Sequence, residues 1–106
     1  MKIPTEKRVR TYELTCLVEA ELTQDELTVA KDELSKIITS AGGKIKDTQE
    51  WGKRELAYTI SKAGKKYTQA NYLHYIFEAE AEQVAAVNDA ANISESIIRH
   101  LLVVQE

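Results

Sequence analysis

The sequence predicts a single α+β domain in which the elements follow one another as strand, helix, strand, strand, helix, strand. Alternating apolar residues mark the strands, and apolar residues at three-and-four spacing mark the helices. A chain of 106 residues with 43% hydrophobic content has room for one core only. Right-handed crossovers around a central hairpin place the strands in the antiparallel order 4-1-3-2, with both helices on one face. This is the ferredoxin-like split β-α-β plan.

The first half of the chain supplies one strand and one helix. Apolar and polar side chains alternate over residues 9–18, as in a half-buried strand. Thr23 stands three residues before Glu26, a capping-box pair that predicts the start of a helix. The glycines at 42–43 end this helix, because glycine tolerates the left-handed backbone that helix ends prefer. The apolar stripe of the helix consists of Leu27, Ala30, Leu34, Ile37, Ile38 and Ala41.

The second half supplies a hairpin, a helix and a last strand. Residues 44–60 and 67–77 are predicted strands around a loop at 61–66, and residues 97–104 form the fourth strand. Gly52 indicates a bulge in the second strand, because it has no side chain to pack. The second helix is predicted to bury Val84, Val87 and Ala91 and to begin among three acidic residues that suit its positive end, Glu78, Glu80 and Glu82.

Charge is distributed unevenly along the chain. The net charge is −3, but residues 1–66 hold 13 Lys and Arg against 11 acids, whereas residues 67–106 hold one Arg against six acids. Such a chain has no overall positive field that would attract RNA or an anionic membrane, so any such binding must be local. On charge alone, the basic stretch at 44–66 indicates a solvated hairpin whose lysines block pairing with other chains.

The sequence has no segment typical of export or of membrane insertion. The single cysteine, Cys16, excludes an internal disulfide, and charged residues interrupt the first twenty positions, where a signal peptide would be apolar. The longest aliphatic run is the tetrapeptide at 101–104, whereas a bilayer-spanning helix needs roughly 20 residues. A soluble, cytoplasmic protein is expected, with a flexible N-terminal extension over residues 1–8 and the folded domain over residues 9–106.

Side chains suited to catalysis are scarce. His74 and His100 fall on the third and fourth strands, which the first strand separates, so a joint histidine site is not expected. One cysteine and two histidines cannot complete a four-ligand zinc site, and the four glycines match neither phosphate-binding spacing. The clustered glutamates are interpreted as helix-terminal charges. The sequence therefore predicts no enzyme activity, no metal and no cofactor.

The sheet face without helices is the predicted binding surface and is expected to stay uncovered by the chain itself. Period-two spacing separates two groups on the third strand: a core group, Leu73, Tyr75 and Phe77, and an open-face group, Tyr72, His74 and Ile76. An exposed apolar patch of this kind often marks a protein interface, although ordinary surface residues explain it equally well. The third strand lacks the glycine and the second aromatic of an RNA-recognition motif, so base stacking is not expected.

Three stretches of the chain form a recognisable set. Residues 51–62 read WGKRELAYTISK, residues 10–13 read RTYE, and residues 97–103 read IIRHLLV. Together they resemble the family of the sixth small-subunit ribosomal protein of bacteria, over nearly the whole chain from residue 10 to 104. Some positions depart from the family pattern: Thr59 replaces a usual proline, and Thr11 and Val104 replace basic residues of many members.

The resemblance implies a non-enzymatic constituent of the small ribosomal subunit. It implies a chain that is monomeric in isolation, pairs with the eighteenth small-subunit ribosomal protein, and binds the central domain of the small-subunit ribosomal RNA with it, without a cofactor. Because this chain is acidic, the companion is expected to supply positive charge. Arg10 and Arg99 match basic residues that the family uses near RNA, and we expect them on one side of the sheet. The candidate RNA-binding residues are Arg10, Tyr12, Lys53, Arg54, Arg99 and His100, and the candidate partner-binding residues are Trp51, Tyr72, His74 and Ile76.

Two other functions use the same plan. A small-metabolite-binding regulatory domain would need a polar ligand pocket. The sequence offers neither convergent glycines nor charged residues at a helix start to form one. Stabilisation by a small molecule in a thermal-shift screen would support this function. A monooxygenase that degrades heme or modifies rings has only Trp51 and His74 in its favour. Loss of turnover in His74→Ala would support that activity.

Overall fold

The structure, a computed structural model, describes residues 9–105 and has the predicted order of elements. The elements are β1 (Val9–Glu19), α1 (Gln24–Ser40), β2 (Lys44–Lys62), β3 (Lys65–Glu80), α2 (Ala81–Ile93) and β4 (Ile97–Val104). The strands form one antiparallel sheet in the order β2-β3-β1-β4, which confirms the ferredoxin-like plan. The predicted extension over residues 1–8 lies outside the described residues. Neither helix of residues 9–105 is long and apolar enough to cross a bilayer.

Helix α1 begins and ends at the predicted signals. The Thr23 hydroxyl accepts from the Glu26 backbone N–H at 3.2 Å, and the Glu26 carboxylate accepts from the Thr23 N–H at 2.9 Å. Gly42 follows the helix with a φ of +98°. A Cβ on Gly43 would lie 2.9 Å from Cγ2 of Ile38, so the chain also needs glycine there to pass close to the helix.

The three glutamates near the start of helix α2 belong to two different elements. Glu78 still belongs to β3, Glu80 is the N-cap of α2, and Glu82 lies in its first turn. The Glu80 backbone N–H donates to the side chain of Gln83 at 2.8 Å, which completes a capping box. Glu80 and Glu82 therefore lie at the helix start, as the sequence indicated, whereas Glu78 lies in the sheet and pairs with Lys46 at 3.8 Å.

The main core lies between the sheet and the two helices. Its fully buried members include Leu14, Cys16 and Val18 of β1, Leu34 and Ile38 of α1, and Leu73, Tyr75 and Phe77 of β3. The assignment of the last three residues to the core is thus confirmed. The Tyr75 hydroxyl donates to the backbone carbonyl of Lys31 at 3.0 Å, and burial raises the pKa of Tyr75 to about 12.

The turn between β2 and β3 is tighter than predicted. Lys62 pairs with Lys65, so Ala63 and Gly64 alone form the turn, and the predicted loop over residues 61–66 is wrong. Both turn residues have positive φ, 53° and 79°, as a two-residue hairpin turn requires. The flanking charged side chains suggested a loop, but exposed lysines leave backbone pairing intact.

Strand β2 is irregular along its length. Its register against β3 shifts at 45–47, at 50–52 and over 55–60. Gly52 has a φ of +83°, which confirms the predicted bulge and leaves Trp51 without a paired residue on β3. Bulges and lysines together protect this edge strand from pairing with another chain.

A second apolar cluster joins the end of the hairpin to β4. Its buried members are Ile60 of β2, Ala70 of β3 and Ile98 of β4, and three further side chains pack against them, Leu17, Leu56 and Tyr67. Leu17 and Ala70 alternate with core residues on their strands, so the cluster lies on the sheet face without helices. The cluster brings the end of β2 against the first residues of β4.

Candidate protein and RNA interface

The open face, meaning the sheet face without helices, carries the candidate partner residues. Tyr72, His74 and Ile76 alternate with the core residues of β3, as predicted. Trp51 reaches this face from the bulge in β2: its ring lies 4.5 Å from that of His74 and 6.4 Å from that of Tyr72. The three rings are nearly parallel, with interplanar angles of 18° and 17°, and so form a stacked platform.

His74 is the buried ring of this platform. The residue is only 6% exposed, because the indole of Trp51 covers it. The expectation that the chain leaves this face uncovered is therefore wrong at His74, and it is also wrong at the second apolar cluster, where Ala70 and Ile98 are buried on this face. The surface presented to a partner consists of the outer side of Trp51, at 38% exposure, and of the half-buried Tyr72 and Ile76.

Polar contacts fix the imidazole of His74. Its Nε2 lies 3.0 Å from Oε1 of Glu13, and its Nδ1 lies 2.9 Å from Oγ1 of Thr15. A carboxylate only accepts, so Nε2–H donates to Glu13, and in the neutral ring Nδ1 accepts from the Thr15 hydroxyl. Both nitrogens are satisfied, so His74 supports Trp51 from below and offers no free group to a ligand.

Arg54 adds a positive charge to the platform. Its guanidinium carbon lies 5.6 Å from the centre of the Trp51 ring and 5.8 Å from that of Tyr72. Such a cation–π contact orients the side chain while its N–H groups can still donate to an anion. Arg54 pairs with Ala70, which places it at the hairpin end of the open face.

Sequence reasoning missed two exposed apolar residues on the open side of β4. Leu101 is 62% exposed and Val103 is 43% exposed. They pair with Thr15 and Glu13 and so share the open face with Arg99, which pairs with Leu17. Side chains two residues apart on a strand share a face, so the spacing of Leu101 and Val103 from Arg99 was the signal that would have placed them on the open face.

Arg10 and Arg99 do not share one side of the sheet. Arg10 pairs with the buried Ala79 and belongs to the helix-covered face, whereas Arg99 pairs with Leu17 on the open face. Positions 10 and 17 of β1 are separated by an odd number of residues, seven, so the side chains in these two rows point to opposite faces. A strand rises about 3.3 Å per residue, so the two rows also lie roughly 23 Å apart. The expectation that both arginines reach one stretch of phosphates is wrong.

The remaining candidate RNA-binding residues lie on the helix-covered face. Tyr12 stacks on Phe77 with ring centroids 5.9 Å apart, and Lys53 Nζ lies 3.7 Å from a Glu21 carboxylate oxygen. His100 Nε2 lies 2.8 Å from Oδ1 of Asn88 on α2. Burial lowers the pKa of His100, and the positive charge of Lys62 lowers it further. Of the basic candidates, Arg54 and Arg99 are therefore the two on the open face.

The buried Cys16 is expected to resist thiol reagents in the native protein. The side chain is fully buried, and burial raises its pKa to about 12, so the reactive thiolate is scarce. With a disulfide reagent at about pH 8, modification should proceed only as fast as the domain opens, and should be immediate and stoichiometric in denaturant. Rapid modification of the native protein would contradict this placement of Cys16.

The chain is similar to bacterial ribosomal proteins over almost its whole length. The sequence profile of the family described as Ribosomal protein S6 matches residues 11–104. Curated relatives from several bacteria bear the name small ribosomal subunit protein bS6. The relative from Synechococcus elongatus is 35% identical over 90% of this chain and 85% of its own length. The relative from Syntrophomonas wolfei is 31% identical over 92% of this chain and 98% of its own length.

Other matches agree with this similarity. The chain is 33% identical to the relative from Prochlorococcus marinus subsp. pastoris and spans 59% of that protein's length. The crystal structure of 30S ribosomal protein S6 from Thermotoga maritima matches with a TM-score of 0.81 at 21% identity, over 92% of this chain and 89% of that one. This structural likeness shows that the two chains share a fold.

Proposed function

The chain belongs to the ribosomal protein S6 family, and on that premise we propose that it pairs with the eighteenth small-subunit ribosomal protein and binds the central domain of the small-subunit ribosomal RNA jointly with it. The family consists of structural proteins of the small ribosomal subunit, so the role is structural and not catalytic. In a bacterium, this role places the chain on cytoplasmic ribosomes. The observation that carries the proposal is the open face, which combines an exposed aromatic and aliphatic surface with two arginines, Arg54 and Arg99, at one end.

The apolar part of the open face suits a protein partner. Trp51 and Tyr72 present large aromatic surfaces that His74 and the bulge at Gly52 already hold in place. Leu101 and Val103 extend the apolar surface to the edge of the sheet. Preorganised aromatic anchors beside aliphatic groups are typical of the residues that dominate protein–protein affinity.

Acidic side chains on the same face favour a basic partner. Glu13 and Asp47 both pair with Ile76, one from each neighbouring strand. Glu78, one row farther along β3, already forms an ion pair with Lys46 at 3.8 Å. These carboxylates lie at the end of the open face away from Arg54 and Arg99. A cationic companion would complement them and would offset the net charge of −3 that opposes RNA binding by this chain alone.

The cationic end of the open face suits the RNA backbone. Arg54 and Arg99 lie on the two edge strands, in rows two residues apart along β3. Their guanidinium groups match phosphate oxygens in geometry, and phosphate contacts position a protein on RNA without reading its sequence. The companion would cover the aromatic and acidic part while RNA contacts the arginines.

Crossed substitutions test the joint binding. With the companion present, Arg99→Ala should weaken binding to a central-domain RNA fragment by about 1–2 kcal/mol, roughly 5- to 30-fold, and leave companion affinity unchanged. Tyr72→Ala should weaken companion affinity by a similar factor and RNA binding only through it. Calorimetry and filter binding measure the two affinities. Equally tight RNA binding by the wild-type chain alone at moderate salt would contradict joint binding.

A further inference from the structure

A cavity at the start of β4 has cationic walls. We call it the β4 cavity; its volume is about 290 Å³, and three basic residues line it, Lys62, Arg99 and His100. The other lining residues are Ala91, Asn92, Ile97 and Ile98, so none of the described residues that line the cavity is acidic. A concave surface with two cations, Lys62 and Arg99, and no carboxylate favours an anionic ligand.

The backbone holds Lys62 in this cavity. Its Nζ donates to the carbonyl oxygen of Ser94 at 3.4 Å and to that of Ile97. These acceptors are neutral, so they orient the ammonium group and leave its charge uncompensated. The second apolar cluster makes the arrangement possible, because it seats the end of β2 against the start of β4.

His100 and Arg99 extend from opposite faces of the edge strand. Oδ1 of Asn88 accepts a hydrogen bond from His100, so Nε2 carries the proton and Nδ1 is the unprotonated nitrogen of the neutral ring. The pKa of His100 is lowered first by burial and then by the positive charge of Lys62. Arg99 is exposed and supplies a guanidinium fork.

We propose that the β4 cavity binds one phosphodiester group of RNA, with Lys62 as its fixed positive charge, Arg99 as its guanidinium donor and His100 as a third, titratable group. This inference rests on the proposed function, and it adds Lys62 to the RNA-binding surface. The cavity adjoins the proposed companion surface, because Arg99 and Leu101 are neighbours on the open side of β4. A bound RNA strand would therefore pass along the border of the companion protein.

Histidine NMR on the full chain tests the cavity with inorganic phosphate as the probe. Phosphate should raise the pKa of His100 and leave the ring resonances of His74 in place, since His74 lies buried under Trp51. Lys62→Gln should weaken phosphate binding about tenfold, the effect of losing one charge-assisted contact worth about 1.4 kcal/mol, and Lys62→Arg should restore most of the affinity. An equal response of both histidines, or full phosphate affinity in Lys62→Gln, would overturn the proposal.

A matched control comes from the same hairpin. Lys65 faces Lys62 across the turn, but its Nζ pairs with Glu19 at 2.6 Å and does not line the β4 cavity. Lys65→Gln should therefore bind phosphate as the wild type does. Acetate at matched ionic strength is the second probe, and an equal response of His100 to acetate would overturn the phosphate assignment in favour of a protein carboxylate.

A separate RNA experiment distinguishes this inference from the proposed function. For the pair of this chain and its companion, Lys62→Gln should reduce the slope of log affinity for central-domain RNA against log salt by about one, as expected for one lost phosphate contact. An unchanged slope would overturn the RNA assignment of the cavity. If the wild-type pair fails to bind the RNA, the proposed function is wrong, even if phosphate raises the pKa of His100.

Discussion

Replacing Trp51 with alanine is expected to weaken binding of the companion protein by about 2 kcal/mol, roughly 30-fold. The substitution removes the exposed indole from the centre of the open face. It also exposes His74 to solvent, so water can compete for its hydrogen bonds to Glu13 and Thr15. Arg54 loses one of the two rings over which it lies. Isothermal titration calorimetry with the purified companion measures the change.

Tyr58→Ala is the matched control for Trp51→Ala. Tyr58 also belongs to β2 and is an aromatic residue, but it is 84% exposed and lies in the stretch where β2 loses its register against β3. Its removal should change companion affinity by less than about twofold, since isolated exposed side chains contribute little. If Trp51→Ala, shown to be folded by circular dichroism, binds the companion as tightly as Tyr58→Ala does, the aromatic platform is not the docking surface.

Replacing Phe77 with alanine is expected to lower the free energy of unfolding by about 3–5 kcal/mol. Phe77 is fully buried, stacks on Tyr12, and lies 3.2 Å from the position that a Cβ on Gly43 would occupy. The helix-to-strand turn and two strands therefore converge on this ring, and the cavity left by alanine cannot close without moving them. Urea denaturation followed by circular dichroism measures the loss.

The exposed Val29 provides the comparison for Phe77→Ala. Val29 is 65% exposed on α1, so Val29→Ala removes apolar atoms without opening a cavity and should change the free energy of unfolding by less than about 0.5 kcal/mol. Similar unfolding midpoints for Phe77→Ala and Val29→Ala would show that Phe77 is not part of a tightly packed core.

Local signals predicted the elements because their causes are local. The pair Thr23 and Glu26 marks the start of α1 through hydrogen bonds between residues three positions apart. The missing side chain of Gly52 marks the bulge, and alternation along β3 assigns its core residues, because successive strand side chains point to opposite faces. The turn at Ala63 and Gly64 was missed, because its exposed flanking lysines resemble a loop.

The sequence by itself determined the elements of this protein, the faces of its strands and, through three stretches of resemblance, its family. Only the tertiary structure decided that Trp51 covers His74 and that Arg10 and Arg99 lie on opposite faces. It also decided that the Lys62 ammonium donates a hydrogen bond to the backbone of β4. These arrangements depend on strand register, on a bulge and on a second apolar cluster formed by residues distant in the chain. The spacing of apolar residues indicates which face of its own strand a side chain occupies. Which residues lie next to that side chain on neighbouring strands is determined only when the whole domain packs.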